Sequence, residues 1–200
     1  MKYKDLNGDT AINNGRNTVA DHGDMRVIGN STPRYQYGIR LGANWKGVDF
    51  NIFFRGVGKR ELWAPSMMTI AGFNPGDAMY EHQMDYWTPS NPNAFYPRPS
   101  NTNQTATQNF YPQTKYLMDM SYLRLKNVSL GYTLPKRLVE RARLQNLRIY
   151  VSGENLWEKD NLFVPIDPEV DFRYAGIATA TFGRNYPYRR SFAFGVQVSL

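Results

Sequence analysis

The residues best spaced for chemistry lie near the start of the chain, in Asp5-Leu-Asn7-Gly-Asp9-Thr-Ala-Ile12. Oxygen side chains at alternate positions, followed by an apolar residue, match the first two-thirds of an EF-hand-type calcium loop, with Asp5, Asn7 and Asp9 as candidate ligands. Two positions depart from that pattern. Thr10 stands where the sharp turn takes Gly, and Arg16 stands where a bidentate Glu belongs. Calcium in the 5–12 loop is therefore expected to bind weakly, and an Asx turn fastened by its own side chains is the alternative. A second group, Asp167 with Glu169 or Asp171, offers the carboxylate pair that glycoside hydrolysis needs. No nucleophile–base constellation accompanies it, because the chain has only 2 His and no Cys. The absence of Cys also removes disulfides and thiolate metal sites. No catalytic residue is assigned, the chain is not read as an enzyme, and no cofactor is expected beyond that calcium.

Charge points away from nucleic acid. The net charge is +7, but the 24 Lys and Arg are scattered over loops and strand ends rather than gathered on a basic helix or stripe. The chemistry left to this chain is binding, and binding residues need elements to hold them.

Those elements read as strands. The last ten residues, Ser191 to Leu200, place Phe192, Phe194, Val196, Val198 and Leu200 on one face and Ala193, Gly195, Gln197 and Ser199 on the other. Arg34 to Trp45 repeats the pattern, with Tyr35, Tyr37, Ile39, Leu41, Ala43 and Trp45 opposed by Gln36, Gly38, Arg40, Gly42 and Asn44. Lys46-Gly47 then turns the chain into Val48 to Val57, which gives a β-hairpin. Further strands are expected near 121–133 and 146–156, and the last near 190–200. In the third strand Arg124 and Lys126 share parity with Val128, so its first half is expected to project above the apolar band. The connections at 1–33, 58–120 and 157–189 are long, whereas Lys46-Gly47 and Leu134 to Gln145 are short. Gly76 to Trp87 has room for a short helix, and Lys136 to Leu144 for one or two helical turns.

The fold class is therefore all-β, an antiparallel up-and-down meander of about five strands with long loops at one end and short turns at the other. No run of 18 apolar residues exists and the mean hydropathy is −0.57, which excludes a transmembrane helix but not an alternating barrel strand. In a barrel the apolar faces meet lipid. Gln36, Arg40, Asn44, Asp49, Asn51, Arg55 and Glu154 then become lumen-lining candidates. The 58–120 loop is crowded with aromatics, and Trp63, Tyr86, Trp87 and Tyr96 are candidates for contact with a ligand or a lid. Packing of these rings within their own loop is the alternative. No hydrophobic leader follows Met1, so an exported protein would contain more than these residues.

A family resemblance enters through Tyr3-Lys-Asp-Leu-Asn-Gly-Asp9, Val27-Ile-Gly-Asn-Ser-Thr-Pro33, Trp45-Lys-Gly-Val-Asp-Phe50 and Trp87-Thr-Pro-Ser-Asn-Pro-Asn93. It continues in Ser121-Tyr-Leu-Arg-Leu-Lys-Asn-Val128, Leu130-Gly-Tyr-Thr-Leu-Pro135, Val151-Ser-Gly-Glu-Asn-Leu156 and Asp167-Pro-Glu169. In this order the segments resemble the C-terminal part of the SusC/RagA family, TonB-dependent outer-membrane nutrient transporters of Bacteroidetes. Gly195 to Leu200 resembles the sorting signal read by the barrel-assembly machinery, although that signal prefers a final aromatic where Leu200 stands.

The resemblance implies a barrel of about 22 strands with a plugged lumen, to which residues 1–200 contribute a C-terminal part. The plug domain and TonB-box segment would lie outside these residues. It further implies import of glycans or oligopeptides, a SusD-like lipoprotein partner, TonB acting through the plug, outer-membrane lipid around the wall, and an outer-membrane location in a Gram-negative bacterium. The other readings of the sequence are a secreted soluble β-sheet carbohydrate-binding module and a non-functional truncated remnant of such a transporter.

Overall fold

The computed structural model describes residues 3–64, 66–71, 78–99, 111–170, 182–183 and 185–200. The chain forms two compact units. One comprises Ser31–Glu61, Asp119–Arg173 and Arg184–Leu200, and the other Met1–Asn30, Leu62–Met118 and Tyr174–Gly183.

The first unit is built on one antiparallel sheet. Its strands are β1 (Tyr35–Trp45), β2 (Val48–Gly58), β5 (Tyr122–Thr133), β6 (Asn146–Asp160) and β7 (Ser191–Ser199), and they lie side by side in that order. The short strands β3 (Glu61–Leu62) and β4 (Met118–Asp119) pair with each other. β1 and β2 meet in full register from Tyr35↔Gly58 to Trp45↔Val48. Lys46 and Gly47 have φ of 47° and 87°, the two positive values that a type I′ hairpin turn requires. A one-turn helix α1 (Lys136–Val139) and a 3-10 turn at Glu140–Ala142 connect β5 to β6.

The register carries the alternation across all five strands. Leu41, Ile52, Val128, Gly153 and Phe192 form one cross-strand row. Ala43, Phe50, Leu130, Val151 and Phe194 form the next, and Trp45, Val48, Tyr132, Ile149 and Val196 a third. These rows share a face, and that face is open. Leu41 is 58% exposed, Phe194 86% and Val196 62%. Ordinary soluble sheets bury such a face, because contiguous apolar patches of this extent invite association. At about 3.4 Å per residue an eleven-residue strand such as β1 runs roughly 34 Å, or about 24 Å of height if tilted near 45°.

The opposite face is polar, and an ion pair spans three of its strands. Arg148 Nε donates to Asp49 Oδ1 at 2.8 Å and Arg148 Nη2 to Asp49 Oδ2 at 2.6 Å. The bond joins β2 to β6 over the intervening β5. Gly131 of β5 lies beneath it, and a Cβ there would overlap both the carboxylate and the guanidinium.

The sequence expectation for β5 is corrected at one point. Phe53 pairs with Asn127 but Phe54 pairs with Leu125, so Lys126 is an extra, bulged residue. The bulge reverses the parity of the strand before it. Leu125 therefore joins the apolar face, and Arg124 pairs with Arg55 on the polar face. β6 answers with its own irregularity between Glu154 and Trp157, where Asn155 takes φ 52°.

In the second unit the expected helix within 76–87 is a single 3-10 turn at Glu81–Gln83, with 76–77 outside the described residues. Its core holds Met68, Ile70, Tyr96, Tyr116 and Met118. Gln83 is fully buried and donates through Nε2 to the carbonyl of Met67 at 2.6 Å.

Gly131→Ala should lower the denaturation midpoint of the receptor that contains this segment, measured by urea titration of its fluorescence. In an Asp49→Ala background the same change should cost much less, because the crowded carboxylate is gone. Equal costs in both backgrounds would show that the ion pair is not what excludes a side chain at 131.

Candidate functional site

Each lumen-lining candidate can be placed from the strand register. Gln36 stands opposite Val57, Arg40 opposite Phe53 and Asn44 opposite Asp49. Asn51 stands opposite Gly42, and Arg55 opposite Gly38. Glu154 follows through Asn127, which pairs with both Phe53 and Glu154. All seven therefore share the polar face of the sheet. Arg40 lies 5.4 Å from the centre of the Phe53 ring, a cation–π distance. Glu154 Oε2 accepts from Ser191 Oγ at 3.1 Å. Arg148, which the sequence places on this face without a role, supplies the bridge to Asp49.

A buried constellation on this face centres on Arg124, which is only 1% exposed. Its Nη1 donates to Glu169 Oε2 at 2.7 Å, and its Nη2 donates to Asp167 Oδ1 at 2.7 Å and to Glu158. Lys126 Nζ reaches Glu169 Oε2 at 3.1 Å, and Arg55 Nη1 lies 3.5 Å from Glu169 Oε1. Three cations thus meet three carboxylates. The pairing Arg55↔Arg124 sets like charges side by side, an arrangement that is unfavourable alone. The loop carboxylates Asp167 and Glu169 neutralise it.

The loop is held by more than charge. Asp167 Oδ1 accepts the Glu169 N–H at 2.9 Å and Asp167 Oδ2 the Tyr188 N–H at 2.9 Å. The Tyr188 ring lies 4.1 Å from Lys126 Nζ and 5.4 Å from the Arg124 guanidinium carbon. Burial pushes the Asp167 carboxyl up. Hydrogen bonds from Arg124, Tyr188 and Glu169, with the charge of Arg124, outweigh burial and hold it below the usual carboxylate range.

Sequence reasoning weighs Asp167 with Glu169 or Asp171 as a carboxylate pair and assigns it no catalytic role. The structure turns Asp167 and Glu169 into partners of Arg124, and Asp171 lies outside the described residues. Their charge opposite Arg124 and Lys126 is a usable signal only once the Lys126 bulge is known.

The calcium loop carries its own donors. Asp5 Oδ1 and Oδ2 accept the N–H groups of Gly8 and Thr10 at 2.6 and 2.8 Å. Asp9 Oδ1 accepts Ala11 N–H at 2.8 Å, and Asn7 Oδ1 accepts Asp9 N–H at 3.1 Å. These are Asx-turn bonds that close the loop on its own backbone. Thr10 takes φ 67°, the conformation for which a Gly is favoured. Asp24, which sequence spacing misses, also enters, accepting from Leu6 N–H at 2.6 Å and Asn13 N–H at 2.8 Å. Among the described residues no group of three His, Cys, Asp or Glu is arranged for a metal.

The four loop aromatics separate. Tyr96 is 3% exposed, stacks on Tyr116 with centroids 5.9 Å apart, and meets Phe95 edge-on at 4.8 Å. Burial pushes its hydroxyl up to about 12, with the nearby Asp85 charge adding to the rise. The expectation that Tyr96 faces a ligand or lid is corrected, since it is part of the loop's own core. Trp63 and Tyr86 are half-buried, and Trp87 is 39% exposed. Asp85 organises the turn beside them, accepting from Phe95 N–H and Asn91 Nδ2, both at 3.0 Å.

Arg124→Ala should destabilise the protein by about 3–5 kcal/mol, because it strands buried carboxylates. Denaturant midpoints would measure this, and a change under about 1 kcal/mol would contradict the buried-charge account. For Asp167 the depressed folded pKa sets the sign. Its contribution is whole above the unfolded value near about 4 and is lost as pH falls through the lower folded value. The thermal midpoint should therefore drop below about pH 4, and Asp167→Asn should flatten that acid limb. Parallel acid limbs would remove Asp167 from the account.

No family model matches the chain. It is 29% identical over 202 residues to TonB-dependent receptor P3 of Formosa agariphila, covering 98% of this chain and 18% of that protein. To TonB-dependent receptor P26 of the same organism it is 31% identical over 205 residues, covering 99% of this chain and 19% of that protein. Among solved structures, the RagAB peptide importer in its open-open state matches 88% of this chain and 18% of its own, with a TM-score of 0.62 and 24% identity. A second structure of the RagAB peptide transporter matches 87% and 18% with the same score. The chain thus spans less than a fifth of the length of these relatives. With a two-faced antiparallel sheet that aligns to part of the RagA barrel, the chain is a segment of a TonB-dependent receptor of the SusC/RagA type.

Proposed function

We propose that this chain is the C-terminal wall of an outer-membrane barrel that imports oligopeptides or glycans together with a SusD-like lipoprotein. TonB-dependent receptors are outer-membrane transporters, not enzymes. The observation that carries the reading is the uncovered apolar face, from Leu41 to Phe194, backed by a polar face crossed by Asp49–Arg148. Lipid on one side and water on the other satisfy both faces at once. The outer strands β1 and β7 each lack a second neighbour among the described strands, and the remainder of a barrel of about 22 strands supplies them.

In this reading the Lys46-Gly47 turn and residues 134–145 lie at the periplasmic rim, and the long connections at the outer rim. Gln36, Arg40, Asn44, Asp49, Asn51, Arg55 and Glu154 line the lumen. The Arg124 cluster fixes the loop after β6 against the inner wall, so that the loop presents a constant surface to lid and substrate. Trp87, with Trp63 and Tyr86, provides the loop's outward aromatic contacts. Substrate passes when TonB, acting through a plug that is not part of residues 1–200, rearranges the lumen. The RagAB relative, a peptide importer, supports a peptide substrate over a glycan.

The test is lipid access in the intact receptor, reconstituted with brominated acyl chains. A fluorophore at Leu41, Leu130 or Phe194 should be quenched, and one at Asn51 or Ser129 should not. Quenching of neither set would mean that protein, not lipid, covers the apolar face. Trp87→Ala should weaken association with the lipoprotein or substrate while moving stability by under about 0.5 kcal/mol. Tyr96→Ala should instead cost about 3–5 kcal/mol of stability. Unchanged binding in a folded Trp87→Ala receptor would remove Trp87 from the contact surface.

A further inference from the structure

The polar and apolar faces leave one group of residues unexplained. Lys46, Lys136, Arg137, Arg141 and Arg143 are exposed, and Glu140 is the one carboxylate among the residues of their two turns. None of these cations makes an ion pair among the described residues. The fold brings the turns together. Thr133 N–H donates to the Gly47 carbonyl at 2.7 Å, and Leu134 N–H to the Leu147 carbonyl at 2.9 Å. The cations therefore border the end of the sheet at which the Trp45–Val48–Tyr132–Ile149–Val196 row lies.

That border is amphipathic. Trp45 is 71% exposed, Tyr132 43% and Leu138 58%. Lys46 Nζ sits 4.9 Å from the Trp45 ring centre, a cation–π distance. A partner that fits must bring anionic groups to the cations and acyl chains to the neighbouring apolar row. A nucleic acid or acidic peptide meets only the first demand.

We infer, resting on the barrel reading above, that these two turns form a seat for the headgroups of anionic phospholipids at the adjoining membrane surface. Arg137, Arg141 and Arg143 each offer a guanidinium fork to phosphate oxygens, and Lys46 and Lys136 add point charges. Trp45, Tyr132 and Leu138 lie against the upper acyl chain, where interfacial side chains belong. The seat gives this part of the wall a preference among lipids and fixes its height in the bilayer.

The experiment uses the intact receptor in nanodiscs of phosphatidylethanolamine mixed with phosphatidylglycerol, with retained lipid counted by native mass spectrometry. Wild-type receptor should enrich phosphatidylglycerol over the bulk mixture by about fivefold, the factor that one basic residue near an anionic surface supplies. Arg137→Gln with Arg141→Gln and Arg143→Gln should bring the ratio down toward the bulk value. Lys46→Gln with Lys136→Gln should do so in part, and Arg26→Gln with Arg98→Gln, which removes charge elsewhere, should not. High salt should mimic the triple variant in unaltered protein, which guards against a folding defect. Enrichment that is absent in wild type, or that persists in every variant, overturns the seat. Quenching of Trp45 by brominated chains in the same discs separates the two failures. Quenching without enrichment sinks the seat alone, whereas no quenching sinks the barrel reading beneath it.

Discussion

A strand satisfies its backbone only through its neighbours, and in hydrocarbon no water stands in for a missing partner. Strand pairing organises the sheet. Every interior strand of the five is paired on both sides, in a register that keeps each apolar residue level with apolar residues next door. A one-residue slip of a single strand would send its whole apolar set to the polar face, Phe50 with Ile52 in β2 or Phe192 with Phe194 in β7. The register is therefore strongly specified, and the type I′ turn at Lys46-Gly47 pins its first pair.

The polar face has the opposite problem, since charges close to one another need compensation. The structure meets it with two ionic devices. Asp49 and Arg148 clasp β2 to β6 and require the bare backbone of Gly131 beneath them. Arg124 gathers Glu158, Asp167 and Glu169, and through the last two it captures the loop that follows β6. A guanidinium suits this role because its planar fork binds several carboxylate oxygens at fixed angles, which an ammonium does not. Sheet and loop are thus tied together by ion pairs and a backbone hydrogen bond.

The alternation was legible in the sequence because its period is two and it persists over whole strands, as in Tyr35–Trp45. The seven polar-face residues followed from parity alone. Arg124 did not, because the Lys126 bulge reverses parity and carries no composition of its own. With Arg124 assigned to the wrong face, Asp167 and Glu169 had no visible partner in the sequence. Asp24 entered the Asp5 loop from across an intervening turn that spacing rules do not span. Tyr96 and Trp87 have the same aromatic character, and only tertiary burial separates a core ring from a surface one. The family motifs were legible as a set, and two of them, Ser121 to Val128 and Asp167 to Glu169, meet in ion pairs.

The central claim is that the face bearing Leu41, Leu130 and Phe194 is a lipid-facing barrel wall. The most direct measurement is a cryo-electron microscopy structure of the intact receptor in a lipid nanodisc. The account predicts that β1 and β7 each gain an antiparallel neighbour and that only acyl-chain density touches that face. A second protein sheet packed on Leu41, Leu130 and Phe194, or an unpaired β1 edge in water, would contradict it.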